Sequence, residues 1–138
     1  YIAGASMGGY GALVHAMKDT EQYRAVGAFS PATVWAKDLE EKVGHKFPEP
    51  MDLYQIIRDD VDAGKKLPDI FFCVGNNDFL IESVDRFEEY LNELKIDHRF
   101  DRVDGYEHEW RFWELELPEF LDWLPRTDSY AKMGKHKM

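Results

Sequence analysis

Close to the first residue, Gly4-Ala5-Ser6-Met7-Gly8 sets a serine between two glycines in the spacing G-x-S-x-G. A serine hydroxyl is a poor nucleophile at neutral pH until a base takes its proton and a carboxylate orients that base. Asp78 in "CVGNNDFL" and His108 in "VDGYEHEW" supply those two residue types, and the chain order is Ser, Asp, His. That is the order in which a nucleophile on a strand-to-helix turn is followed by its acid and its base along an α/β chain. Ser6 is therefore the candidate nucleophile. The Met7 backbone N–H, at the start of the helix that follows, is the candidate oxyanion donor, helped by the helix dipole. The steric reading of the glycines is that residues two positions either side of the serine must lack bulk for strand and helix to pass closely.

Four other histidines compete with His108. His15 falls within a helical pattern, His45 in a Pro-rich segment, His98 on a strand and His136 in the tail, and each reads as a packed or solvent-facing side chain. Asp104 could replace Asp78 as the carboxylate, or cap and brace the loop that carries His108. The histidines and carboxylates do not cluster at ligand spacing, and "HEW" lacks the second histidine of H-E-x-x-H, so neither a metal nor a cofactor is expected. Cys73, the single cysteine, lies inside the apolar run "DIFFCVG" and reads as a packed strand thiol without chemistry.

The elements that must hold these residues follow from periodicity. A strand ending at Ala3 leads through "GASMGG" into a helix over 7–17, and a second strand over 25–29 stops at Ser30-Pro31. Helices are predicted over 35–43 and 52–63, the latter capped by Asp52, with the Pro-rich break "HKFPEP" between them. "DIFFCVG" runs apolar without alternation, as a parallel strand covered on both faces does. Val84, Phe87, Leu91 and Leu94 recur at helical spacing over 81–95, "DHRFDRV" forms the last strand, and Trp113, Leu117, Phe120, Leu121 and Leu124 mark a final helix that Pro118 restarts or kinks. Alternating strands and helices imply a parallel sheet with right-handed crossovers in one domain over 1–125, followed by a flexible tail over 126–138.

With 44% hydrophobic and 14% aromatic residues, a chain of 138 residues can bury a real core. Its 27 acidic against 17 basic residues leave a net charge of −10, which disfavours nucleic acid and anionic membranes and favours a small neutral ligand. No apolar run approaches the ~20 residues of a membrane span and no signal segment is visible, so a cytoplasmic location is expected. The segment 32–67 lies between strands at the catalytic edge, and its Trp35, Phe47 and Tyr54 are candidates for substrate contact, Trp35 first among them; a plain crossover with a long lead-in is the other reading.

Together, "GASMGGYGAL", "VGNNDFL" and "GYEHEWRFW" resemble the esterase family that includes tributyrin esterases, esterase D (S-formylglutathione hydrolase) and the mycolyltransferases. The resemblance runs from Tyr1 to about Leu124 and is strongest to the bacterial tributyrin-esterase branch. Ala5 before the serine and "FSPATVW" after the second strand depart from the esterase D branch. The resemblance implies an α/β-hydrolase fold and a serine carboxylesterase acting on short acyl esters, with Ser6 as nucleophile, Asp78 as acid, His108 as base and Met7 contributing half of the oxyanion hole. S-formylglutathione hydrolysis and acyl transfer are alternatives on the same fold. The family has further strands and a second oxyanion donor ahead of the serine. The expectation is therefore that this sequence is the C-terminal half of such a hydrolase, with an exposed strand edge through which it associates with another chain or its own copy. On that reading the chain by itself is a poor esterase or a non-catalytic fragment.

Overall fold

A computed structural model of the chain describes residues 1–34, 40–46 and 51–126. Strands and helices alternate as β1 (Ile2–Ala5), α1 (Met7–Lys18), β2 (Ala25–Phe29), α2 (Leu53–Asp62), β3 (Asp69–Gly75), α3 (Ile81–Glu93), β4 (Arg99–Val103) and α4 (Trp110–Trp123). The strands form one parallel sheet in the order β1-β2-β3-β4, with Ile2 opposite Val26, Ala25 opposite Asp69 and Phe71 opposite Arg99. Each crossover steps one strand in the same direction. Right-handed crossovers of that kind deliver every connecting helix to the same face of the sheet.

The core shows this directly. Leu13 and Met17 of α1, Ile57 of α2, and Phe87 and Leu91 of α3 pack with Val26, Ile70 and Phe72 on one face. The opposite face is covered by α4, whose Phe112 and Phe120 meet Phe29, Phe71 and Cys73. Successive β3 side chains thus enter two different cores, which is why "DIFFCVG" carries no polar alternation. Each such fully buried side chain contributes roughly 1.5–3 kcal/mol. Burial also pushes the Cys73 thiol well above its ordinary range, in keeping with a packing role.

α4 lies very close to the sheet at Gly27, where a Cβ would stand 2.4 Å from the Phe120 ring. Phe120 makes edge contacts with both Phe29 and Phe71, at centroid separations of 5.7 and 5.4 Å, so the ring cannot withdraw cheaply. Asp52 caps α2 by accepting from the Tyr54 and Gln55 N–H groups at 3.0 and 3.4 Å.

Several boundaries differ from the sequence expectation. β1 continues to Ala5, because the turn needs only the serine itself to leave extended geometry. His98 precedes β4 instead of lying on it, its Nδ1 facing the Ile96 carbonyl at 2.8 Å and its Nε2 bonded to Glu88. α4 starts at Trp110 and continues through Pro118; the carbonyl deprived of its helical donor belongs to exposed Glu114, where water can replace it. Residues 40–43 are helical, whereas Trp35, Phe47 and the tail beyond Arg126 lie outside the described residues. β1 pairs only with β2, leaving its other edge without a strand among the described residues.

On α4, Glu116 falls one turn from both Phe112 and Phe120 and so occupies the buried stripe of the helix. Burial, followed by the neighbouring Asp101 carboxyl, raises its pKa to about 8. Burial also works on Asp101, but its hydrogen bonds from Arg99, at 3.0 and 2.8 Å, and from Glu116 hold it below the usual carboxylate range. Burial and the neighbouring Asp101 thus favour the neutral form of Glu116, while Asp101 is pushed the other way.

Two predictions follow from this packing. Gly27→Ala is expected to lower unfolding stability by about 1–3 kcal/mol in urea titration, the cost of overpacking against Phe120; an unchanged midpoint would contradict the close contact. For Glu116 the folded pKa exceeds the unfolded value of 4.5, so stability is full below that value and is lost as pH rises toward about 8. Glu116→Gln keeps a donor to Asp101 and cannot ionise. Its thermal midpoint should therefore fall less than the parent's between pH 5 and 8, and parallel curves would refute the assignment.

Candidate active site

Ser6 is the first residue after β1 and the N-cap of α1, with φ 57° and ψ −120°. A non-glycine residue in that region stores roughly 1–3 kcal/mol of strain, which the surroundings must over-determine. They do so through its backbone. The Ser6 N–H donates to the Phe29 carbonyl at 2.8 Å, and its carbonyl accepts from Gly9, Tyr10 and Ala32 at 3.0, 3.2 and 3.2 Å.

The glycines contribute unequally. A Cβ on Gly4 would lie 2.2 Å from the Gly8 carbonyl oxygen, and one on Gly9 would come within 3.1 Å of the Gly4 carbonyl oxygen and 3.2 Å of Pro31. Gly8 and Gly11 have open space where a Cβ would stand, so the symmetric steric reading holds at Gly4 and not at Gly8. The backbone at position 8 occupies the room that Gly4 leaves, so the close approach constrains Gly4 and not Gly8.

An N-cap serine ordinarily turns its hydroxyl back onto the helix amides. Here it makes no such bond, and Ser6 Oγ lies 2.8 Å from His108 Nε2. The other ring nitrogen, His108 Nδ1, is 2.8 Å from Asp78 Oδ2. Asp78 is 2% exposed, and its Oδ1 accepts from the Leu80 N–H at 2.8 Å. The carboxylate is therefore oriented from both sides. Asp78, and not Asp104, partners His108.

Ser6 and His108 are 102 positions apart and meet because the loops at the carboxyl edge of the sheet are tied together. Asn76 N–H donates to the Val103 carbonyl at 2.8 Å and Asn77 N–H to the Tyr106 carbonyl at 2.9 Å. Gly75 permits this approach, since a Cβ there would stand 2.3 Å from the Tyr106 oxygen. Glu109 then braces the His108 loop. Its carboxylate accepts from the Glu107 N–H at 2.8 Å and from Arg111 at 3.0 Å, and these bonds hold it below the ordinary glutamate range.

Met7 is the first residue of α1, where the backbone N–H has no intrahelical partner and lies beside the Ser6 hydroxyl in the chain. Around the imidazole stand two aromatic rings: Phe79 at 4.9 Å and 59°, and Trp113 at 5.2 Å and 90°. Phe79 is 78% exposed and Trp110, edge-on to Trp113, is 74% exposed, so apolar surface borders the serine–histidine pair on the solvent side. Among the described residues no group of three or more His, Cys, Asp or Glu side chains could hold a metal ion. No helix among them is long and apolar enough to cross a membrane.

The sequence-nominated Ser6, Asp78, His108 and Met7 are thus brought together at one edge, whereas Trp35 lies outside the described residues. His15 and His45 are exposed and His98 is engaged elsewhere; His136 also lies outside the described residues. Sequence reasoning did not nominate Ser30, Gly75 or Phe79 for the site. "SP" at the end of a strand and the Phe next to the candidate acid were the available signals, and neither points to a contact without the sheet register.

Known proteins resemble this chain in sequence and in fold. An acetyl esterase of Caldicellulosiruptor saccharolyticus is 25% identical over 148 aligned positions, covering 94% of this chain and 55% of that protein. Two Staphylococcus aureus structures share the fold. One is the fluorophosphonate-binding serine hydrolase FphF, with TM-score 0.77 and 24% identity, covering 88% of this chain and 52% of that one. The other is the S-formylglutathione hydrolase FrmB, with TM-score 0.68 and 24% identity, covering 83% and 46%. The chain spans about half the length of the relatives it matches. The fold is that of the α/β-hydrolases, with a four-stranded parallel sheet flanked by helices. The esterase family model described as "Putative esterase" matches residues 1–124, and the chain belongs to that family.

Proposed function

We propose that the protein acts as a serine carboxylesterase on short-chain acyl esters, with Ser6 as nucleophile, His108 as general base and acid, and Asp78 as the orienting carboxylate. The observation that carries this reading is the unbroken hydrogen-bond chain from Ser6 Oγ through both His108 nitrogens to buried Asp78, at 2.8 Å per link. A strained serine that leaves its own helix uncapped to face a histidine is costly unless it has a use. The kinship with an acetyl esterase supports a small acyl group.

In the first half-reaction, Ser6 Oγ attacks the ester carbonyl carbon while its proton passes to His108 Nε2. The new C–O bond places negative charge on the former carbonyl oxygen, which the Met7 N–H and the α1 dipole stabilise. Collapse breaks the bond to the alcohol, which leaves with the proton returned from His108. Water then repeats the sequence on the acyl-enzyme and releases the acid. Asp78 holds the tautomer in which Nδ1 carries the proton and Nε2 is free to accept.

Ser6→Ala and His108→Ala are each expected to lower kcat for p-nitrophenyl acetate by roughly 10⁴ to 10⁶, and Asp78→Asn by about 10⁴. A fluorophosphonate probe should label Ser6 in the parent and fail to label Ser6→Ala by mass spectrometry. Turnover within tenfold of the parent in either alanine variant would overturn the mechanism, as would loss of activity on chelation with EDTA.

A further inference from the structure

β2 repeats, one strand over, what β1 does at the elbow. The last register pair of the two strands is Ala5 with Phe29, so Ser6 and Ser30 are the residues that immediately follow β1 and β2. Both are non-glycine residues with positive φ, 57° and 47°. Each backbone N–H donates to the next strand at 2.8 Å, from Ser6 to Phe29 and from Ser30 to Cys73. Their hydroxyls have different surroundings. Ser6 Oγ meets the imidazole, whereas Ser30 is fully buried and its Oγ accepts from the Trp113 indole N–H at 3.0 Å.

Trp113 is the residue whose ring stands edge-on to His108, and its indole N–H is the group bonded to Ser30. The imidazole has to keep Nε2 on the serine while gaining and losing a proton. Its bond to Asp78 fixes one ring atom and leaves rotation about that bond as the residual freedom, which a wall against the ring restricts. Ser6 is held by the carbonyl of Phe29, and Trp113 by the hydroxyl of the very next residue. Nucleophile and wall are thus referenced to two consecutive residues, the last of β2 and the one that follows it.

We propose that Ser30 and Trp113 form a positioning pair: the buried Ser30 hydroxyl fixes the Trp113 indole, which sets the orientation of His108 relative to Ser6. The inference rests on the serine–histidine reading of the site. It gives a role to a serine that stands at positive φ ahead of Pro31, where glycine would be unstrained. It also gives α4 a task beyond covering the sheet, since the helix that begins just after His108 carries the ring that confines it.

The test compares Ser30→Gly, which suits the positive φ and lacks the acceptor, with Trp113→Phe, which keeps an aromatic wall and lacks the donor, in the full chain. Each is expected to lower kcat for p-nitrophenyl acetate by about 10- to 100-fold with KM within twofold. The double variant should fall no further than the weaker single, because both remove one link. The low-field proton resonance of the His108–Asp78 bond should broaden in both variants. Unchanged kcat in a Ser30→Gly protein with the parent's circular dichroism, an effect confined to KM, or multiplicative losses in the double variant would each overturn the proposal. If Ser30→Gly does not fold, Trp113→Phe alone decides by the same kcat and proton readouts. Should Ser6→Ala retain turnover, the nucleophile assignment falls separately, and the proton resonance still reports whether the pair holds the imidazole.

Discussion

The passage of the Gly4 backbone against that of Gly8, with no space for a single carbon between them, is the contact from which the site's geometry derives. It forces β1 and α1 to join through one residue, and that residue must take a positive φ. The strain is held by four backbone hydrogen bonds, one given to β2 and three accepted from α1 and from the segment after β2. A serine so held has its hydroxyl turned away from its own helix, and the first helical N–H, which has no partner within the helix, follows it in the chain. The elbow thus produces both a presented hydroxyl and an adjacent donor from one steric constraint.

The remaining site residues come from loops, and loops alone would not hold atoms to hydrogen-bond tolerance. The parallel ladder solves this by continuing past the strands: Ser6 bonds to β2, Ser30 to β3 and Asn76 to β4, each at 2.8 Å. The loops that carry Asp78 and His108 are thereby extensions of the sheet. Gly75 lets the second of them come down over the first, and without that approach the His108 ring could not reach the Asp78 carboxylate.

The two faces of the sheet are built differently, and the site lies at their junction. Three helices pack a continuous aliphatic and aromatic core on one face, while the other depends on α4. That helix accepts a glutamate in its buried stripe, where burial favours the neutral form, and a proline in its interior, both costs to its own stability. Its aromatic contacts to Phe29 and Phe71 offset them. β4, which ends the sheet among the described residues, carries ion pairs of Arg99 with Asp101 and Glu119 and of Arg102 with Asp85.

Much of this was legible in the residues. The unalternating run of β3, the cap at Asp52 and the helical spacing of Val84, Phe87 and Leu91 are local patterns, and local patterns report the backbone that forms them. The order Ser6, Asp78, His108 was legible because chemistry restricts which residue types can share the task. What the sequence could not disclose depends on register and on close approach. Nothing in "FSP" says that Ser30 stands beside Ser6, nothing in "VGNN" says that Gly75 must admit a carbonyl oxygen, and the two elbow glycines read alike although only Gly4 lacks room. Such facts are distances between segments far apart in the chain. They are decided when the sheet pairs and α4 closes over it, because only then does each residue acquire the neighbours that determine whether a side chain fits, which partner a polar atom finds, and where a hydroxyl points.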